Sequence, residues 1–351
     1  MPRTRFLLWV VAFALAASEV APGTLGLIAS AAGADAVLPG TELLTVDRPL
    51  DEVMVEGLNR FCRRELAASP QQRAMRWHRD SSLAQADSAS LLPHRQRFRS
   101  LIGAVDPRST ADASGRQQFE VLSTVGQSPV VAQTSRVTVH AVRWRVLEGV
   151  TAEGLLLAPA ELQAGVAALP DADWTPEMFC GLCGELPDSV QFVRRLAQSG
   201  CLVAIPMLIS RSDEFSGSPH VAYTNQPHRE FIYRQAFEAG RHIIGYEVQK
   251  VLAAVDLLEQ YAKRQSAAAG RDPIPIGAVG VGEGGLLALY SAAIDPRIQS
   301  CWVSGYFQQR EEIWQEPIYR NVWGLLTEFG DAELAGMIAP RRLVIEACRA
   351  V

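Results

Sequence analysis

The stretch Ile276-Gly277-Ala278-Val279-Gly280-Val281-Gly282-Glu283-Gly284-Gly285-Leu286-Leu287 decides how the chain is read. Residues 276–279 have the length and apolar character of a short buried strand, and residues 284–293 those of a buried helix. A strand that turns directly into a helix holds its central residue at positive φ, so residues two positions away must be small. Gly280 and Gly284 meet that demand around position 282. The pattern is that of a nucleophile elbow, G-x-S-x-G, whose centre carries Ser, Cys or Asp. The centre here is Gly282. Glycine removes the attacking atom and relieves the strain, since positive φ costs it nothing. Glu283 is the one chemically capable group left in the turn. For Glu283 to be the centre, residues 281 and 285 would have to be small, and Val281 is bulky.

The chain on either side alternates between strand and helix patterns. Val137, Val139, Ala141, Trp144 and Val146 mark a long strand. Glu148-Gly149 turns the chain, and residues 154–158 return it, which makes a leading β-hairpin. Further strands are predicted over 164–169, 201–209, 276–279, 300–307 and 342–347, with helices over 189–198, 242–263 and 284–293. Such alternation implies an α/β fold, a mostly parallel sheet covered by helices on both faces in three layers.

Five segments carry a resemblance. They are Gly154-Leu155-Leu156-Leu157-Ala158-Pro159, the strand and loop from Val166 through Pro170-Asp171-Ala172-Asp173, the helix start Gly240-Arg241-His242-Ile243-Ile244-Gly245-Tyr246-Glu247, the elbow, and Ile338-Ala339-Pro340-Arg341-Arg342-Leu343-Val344-Ile345-Glu346. Together they make residues 136–351 similar to the acetyl-xylan-esterase and dienelactone-hydrolase branch of the α/β-hydrolases. The resemblance implies hydrolysis of a small ester or carbohydrate ester by a nucleophile–acid–histidine triad.

The sequence departs from that pattern in three places. Gly282 stands where the nucleophile belongs. Asp171 and Asp173 stand where the family often has a His-Gly-Gly element of the oxyanion hole, and two carboxylates there are expected to repel a developing oxyanion. No histidine follows His242, and Val351 falls before the strand and loop that would carry one, so the domain reads as C-terminally incomplete or continued beyond Val351. The expectation is a relative that lacks serine-triad catalysis. One alternative is an active ester hydrolase in which Glu283 or Asp173 acts on water, or residues beyond Val351 complete the site.

Two other chemistries compete. Residues 280–285 also spell G-x-G-x-x-G, a dinucleotide fingerprint, but two strand–helix units precede them and the next strand leads to Gln308 and Gln309 instead of an acid. Asp171, Asp173, Asp213, Glu214 and Glu283 all fall at carboxyl ends of strands, where they could line a cleft for Ca²⁺ or sugar hydroxyls, or be solvated loop acids and helix caps. His220 and His228 are too far apart for one helical metal face. Neither a cofactor nor a metal is expected. Arg241, Tyr246 and Glu247 read as locally bonded helix residues, and Trp302, Tyr306, Trp314, Tyr319 and Trp323 as core and cap aromatics.

Residues 37–130 read as a mostly helical N-terminal extension without chemistry. In 51–66, Val53, Val55, Leu58, Phe61, Cys62 and Leu66 form roughly one apolar helix face, and a second helix is predicted over 93–104. Residues 1–31 read as a signal peptide: Arg3 and Arg5, the apolar run 6–17, then small residues such as Ala29-Ser30-Ala31. Ser18 and Glu19 make the run short for a spanning helix, so a secreted or periplasmic protein without stable membrane insertion is expected after cleavage. The full chain has 351 residues, 48% apolar and 20% charged, a globular composition, and its net charge of −5 argues against a nucleic-acid partner. Cys180-Gly181-Leu182-Cys183 lacks both the context of a redox motif and a second pair for zinc, which leaves a local disulfide or two ordinary thiols.

Overall fold

The computed structural model describes residues 39–42, 45–80, 84–109, 118–124, 126, 128–184, 186–221, 225–270 and 272–346, with backbone alone for 84–88 and 268–269. The expected signal peptide lies outside them. The chain divides into two units, residues 1–60 and 61–351, and the second holds the sheet.

In chain order the helices are α1 (Leu50–Arg76), α2 (Ala84–Leu101), α3 (Pro176–Phe179), α4 (Val193–Gln198), α5 (His228–Glu238), α6 (Ile243–Ala269), α7 (Glu283–Ile294) and α8 (Asp331–Ile338). The strands are β1 (Glu120–Val121), β2 (Val130–Gln133), β3 (Val137–Leu147), β4 (Val150–Pro159), β5 (Ala164–Leu169), β6 (Cys201–Pro206), β7 (Ile276–Val281), β8 (Ile298–Ser304) and β9 (Arg342–Glu346). They form one sheet in the order β1-β3-β4-β6-β5-β7-β8-β9, with β2 also paired to β3. The hairpin β3–β4 and its neighbours pair antiparallel, as does β4 with β6. From β6 through β5, β7 and β8 to β9 every pairing is parallel.

Two apolar clusters cover the sheet. One gathers Trp144, Ala204 and Ala278 with residues of α6, α7 and α8; the other joins Val139, Val203 and Val279 to Phe179 and Val193. The three-layer expectation is met. α7 is apolar on every side because it is buried on every side. Part of its cover is α2, whose fully buried Phe98 meets Tyr290 edge-on at 4.9 Å. The segment read as an appended arm therefore contributes to the main core, and β1 and β2 add strands to the sheet.

Some expectations change. In α1, Val55, Leu58 and Phe61 do not form a buried face; they are 68%, 62% and 50% exposed. Trp314 and Trp323 are not core aromatics but surface ones, whereas Tyr306 and Tyr319 are buried. Cys180 and Cys183 are free thiols, and burial pushes the Cys180 thiol up to about 11. No helix among the described residues is long and apolar enough to cross a membrane.

Candidate functional site

The turn after β7 has the backbone expected of an elbow. Gly282 sits at φ 56° and ψ −118°, directly before the first residue of α7, and donates its N–H to the Ser304 carbonyl at 2.9 Å. Its small neighbours are needed for packing. A Cβ on residue 280 would run into the Gly284 carbonyl, and one on residue 284 would run into the carbonyls of Leu169 and Pro170. These contacts account for Gly280 and Gly284 without a pyrophosphate.

The loop after β5 brings Asp171 onto this turn. Asp171 Oδ1 accepts the N–H of Glu283 at 2.8 Å. A Cβ on residue 282 would meet the same carboxylate, with Asp171 Cγ only 3.0 Å away and Oδ1 nearer still. Arg211, on the loop after β6, clamps Asp171 from outside with Nη1 to Oδ2 at 2.6 Å and Nη2 to Oδ1 at 3.1 Å. The same guanidinium reaches Asp173 Oδ2 at 2.9 Å, and the Arg211 backbone N–H donates to Asp173 Oδ1 at 2.8 Å. Tyr319 accepts Arg211 Nε at 3.1 Å. Burial pushes the Asp171 carboxyl up, but Arg211 and the Glu283 N–H outweigh it and leave its pKa below the ordinary value. The two carboxylates are not free: Arg211 bridges them and offsets one of their two negative charges.

Glu283, wholly buried, lies at the centre of a second set of ion pairs. Its Oε1 accepts Arg229 Nη2 at 3.0 Å, and its Oε2 accepts Arg320 Nε and Nη2 at 3.0 and 2.8 Å. Arg211 Nη2 stands 3.5 Å from the same oxygen. Burial alone would raise the Glu283 pKa, yet the charges of Arg229, Arg320 and Arg211 lower it, so the group is an anion. Arg229 is itself fully buried; it pairs with Glu247 Oε2 at 2.9 Å, donates to the Ile209 carbonyl at 2.9 Å, and lies over the Tyr319 ring. Glu247, expected to bond locally, instead joins α6 to α5 through Arg229 and accepts the Ile209 N–H at 2.9 Å. Arg241 likewise reaches Asp106, far away in sequence, at 2.7 Å.

Two of the histidines, His242 and His228, are held in hydrogen bonds of their own. His242 caps α6: Nδ1 accepts the Ile244 N–H at 3.1 Å and Nε2 faces the Asn321 carbonyl at 3.1 Å. Burial pushes its pKa down to about 4. His228 Nε2 accepts the Phe215 N–H at 2.9 Å, which puts the proton on Nδ1, facing Ser210 Oγ at 3.0 Å. That tautomer donates to the serine and cannot take its proton.

Of the residues singled out in the sequence, Asp171, Asp173, Gly282 and Glu283 come together. Asp213 is exposed and accepts Asn225 Nδ2 at 3.0 Å. Among the described residues no group of three or more His, Cys, Asp or Glu is arranged to hold a metal ion. The sequence reading missed the cations Arg211, Arg229 and Arg320. An acid in the first turn of an otherwise apolar buried helix is the signal that pointed to them, since a buried carboxylate requires a partner.

No protein-family model and no curated protein matches the sequence. Solved structures do. A Bacteroides fragilis protein described as an acetyl xylan esterase superposes with a TM-score of 0.53 at 12% identity, over 77% of this chain and 70% of that one. A glucuronoyl esterase from Solibacter usitatus is also similar, at TM-score 0.43 and 15% identity over 72% of each chain. The first likeness, with the strand order and the elbow, establishes the α/β-hydrolase fold that the sequence resemblance implied.

Proposed function

We propose that this chain is a non-catalytic member of the α/β-hydrolase fold, related to carbohydrate and carboxylic-ester esterases, in which serine-triad hydrolysis has been lost. One observation carries the reading: Asp171 accepts the N–H of the residue after the elbow centre. In the elbow motif that N–H is a donor to the oxyanion of the tetrahedral intermediate. The chain's own carboxylate, clamped by Arg211, takes the place of that oxyanion. A small ester or carbohydrate remains the ligand class that the fold suggests, bound without turnover. An export signal in residues 1–31 would make the protein secreted.

The competing reading, Glu283 as the acid–base group of an unusual hydrolase, draws less support. A carboxylate held ionised by three guanidiniums is a weak base and cannot act as an acid near neutral pH. Purified protein is expected to give no saturable turnover of p-nitrophenyl acetate or of acetylated xylo-oligosaccharides. Gly282→Ser is expected to add none, and to lower stability by about 1–3 kcal/mol through positive-φ strain and overpacking against Asp171. Saturable turnover by the wild-type chain, abolished in Glu283→Gln, would overturn the proposal in favour of the acidic mechanism.

A further inference from the structure

A cleft of about 620 Å³ opens beside the network, walled by Leu147 and Val150 of the hairpin, Ile209 after β6, Ile232 of α5, and Glu247 and Lys250 of α6. It is separate from the elbow: Glu247 forms part of its wall, and Arg229 stands between Glu247 and Glu283.

The charges on this wall are unequally satisfied. The Glu247 carboxylate is held from within by Arg229 and the Ile209 N–H. Asp106, also on the wall, is paired with Arg241 at 2.7 Å. Glu148 stands on the exposed hairpin turn, at the rim. Lys250 differs. Lys250, a half-buried residue, donates Nζ–H to the Met207 carbonyl at 3.0 Å, and an ammonium has three N–H groups. A cationic head with donors to spare, set among apolar side chains, matches a molecule with one anionic group and an apolar body.

We propose that this cleft binds a small amphipathic carboxylate, its head on Lys250 Nζ and its hydrocarbon against Leu147, Val150, Ile209 and Ile232. The carboxylate would form a charge-assisted hydrogen bond, and the chain would bury apolar surface now facing water. Burial already lowers the Lys250 pKa, with Glu247 acting against it and Arg229 with it; an anion in the cleft offsets that desolvation. The volume suits a body of several methylenes. The inference stands apart from the reading of the elbow, because none of its groups touches Asp171 or Gly282.

Isothermal titration of the full chain with octanoate, octan-1-ol and octylammonium tests it, with saturation-transfer NMR as a second readout. Octanoate is expected to bind saturably at one site and more tightly than either analogue. Lys250→Met is expected to weaken octanoate by about tenfold or more and to leave octan-1-ol nearly unchanged. Lys250→Arg, which keeps the charge, should retain binding. Val150→Trp, at a position 47% exposed and so tolerant of a larger side chain, should block all three ligands. Should Lys250→Met fail to fold, the arginine and tryptophan variants decide between retention and loss. Non-saturating titration of the wild type overturns the proposal, as does preference for octylammonium or unaltered octanoate binding in Val150→Trp. Ester turnover plays no part in these measurements, so failure here is distinguishable from failure of the functional proposal.

Discussion

Arg229→Met is expected to destabilise the protein by about 3–5 kcal/mol, the largest single effect among the charged residues of the site. The guanidinium is fully buried and stands between two buried carboxylates, Glu283 Oε1 at 3.0 Å and Glu247 Oε2 at 2.9 Å. Methionine fills a similar space but leaves both anions in a poorly solvating interior. Glu283 keeps Arg320, whereas Glu247 keeps the Ile209 N–H and no guanidinium. The cost of breaking a buried pair from one side is the stranded charge more than the lost attraction. Adding Glu247→Gln to Arg229→Met should therefore recover part of the loss. Urea denaturation of the wild type, both single variants and the double variant measures this. A loss below 1 kcal/mol in Arg229→Met would show that the network relaxes or is hydrated, and would remove the argument that Glu283 is a fixed structural anion.

Stability is expected to fall by about 3 kcal/mol between pH 6.5 and about 4 through His242 alone, from its ordinary value of 6.5 to the folded value of about 4. The sign follows from where the protons go. The folded state holds His242 neutral, since Nδ1 must accept the Ile244 N–H to cap α6. The unfolded chain takes up the proton below pH 6.5 and the folded chain only near 4. Acid in that window therefore favours unfolding, and the full contribution is present above it. Asp171 and Glu283, with lowered folded values, contribute a separate loss at lower pH, as the medium falls below the ordinary carboxylate range. His242→Asn keeps a capping acceptor and removes the titration. Its urea midpoint should stay nearly level from pH 6.5 to 4.5 while the wild type declines. Parallel decline in both proteins would assign the titration to another group.

The parts of this molecule that obey a local rule were legible in the sequence. Strands and helices of the sheet follow from periodicity, and the elbow from a steric demand confined to residues 280–284. What failed to show was what depends on distant partners. Arg211 meets Asp171, Arg229 meets Glu283 and Arg320 meets Glu283 across 40, 54 and 37 positions. A buried acid such as Glu283 signals that some cation must meet it, but no pattern in the chain says which arginine does. α5 was missed for a related reason. Its inward positions are Arg229, Tyr233 and Ala236, correctly spaced for a helix face, but the first is a charge. A reading based on apolar periodicity sees no stripe when a buried position carries a guanidinium. The opposite error was made in α1, where an apolar pattern was present and the side chains remain exposed. Asp171 and Asp173 were legible as acids near the elbow, and Asp171 does lie against it; what local pattern could not show is Arg211, which bridges the two.

The contact between Asp171 and the Glu283 N–H also has a kinetic side. On the proposed reading, Asp171 is an intramolecular competitor. An outside ester arrives at the concentration in solution, whereas a tethered group acts at an effective concentration on the order of millimolar even on a loose linker, and higher when its geometry is fixed. Here the competitor is held by a two-pronged arginine, so it is fixed. On the proposed reading, supplying a serine and a histidine would thus leave the site blocked by the chain's own side chain. If that reading holds, a route to catalysis begins with the loops after β5 and β6, and the residue at the elbow comes second.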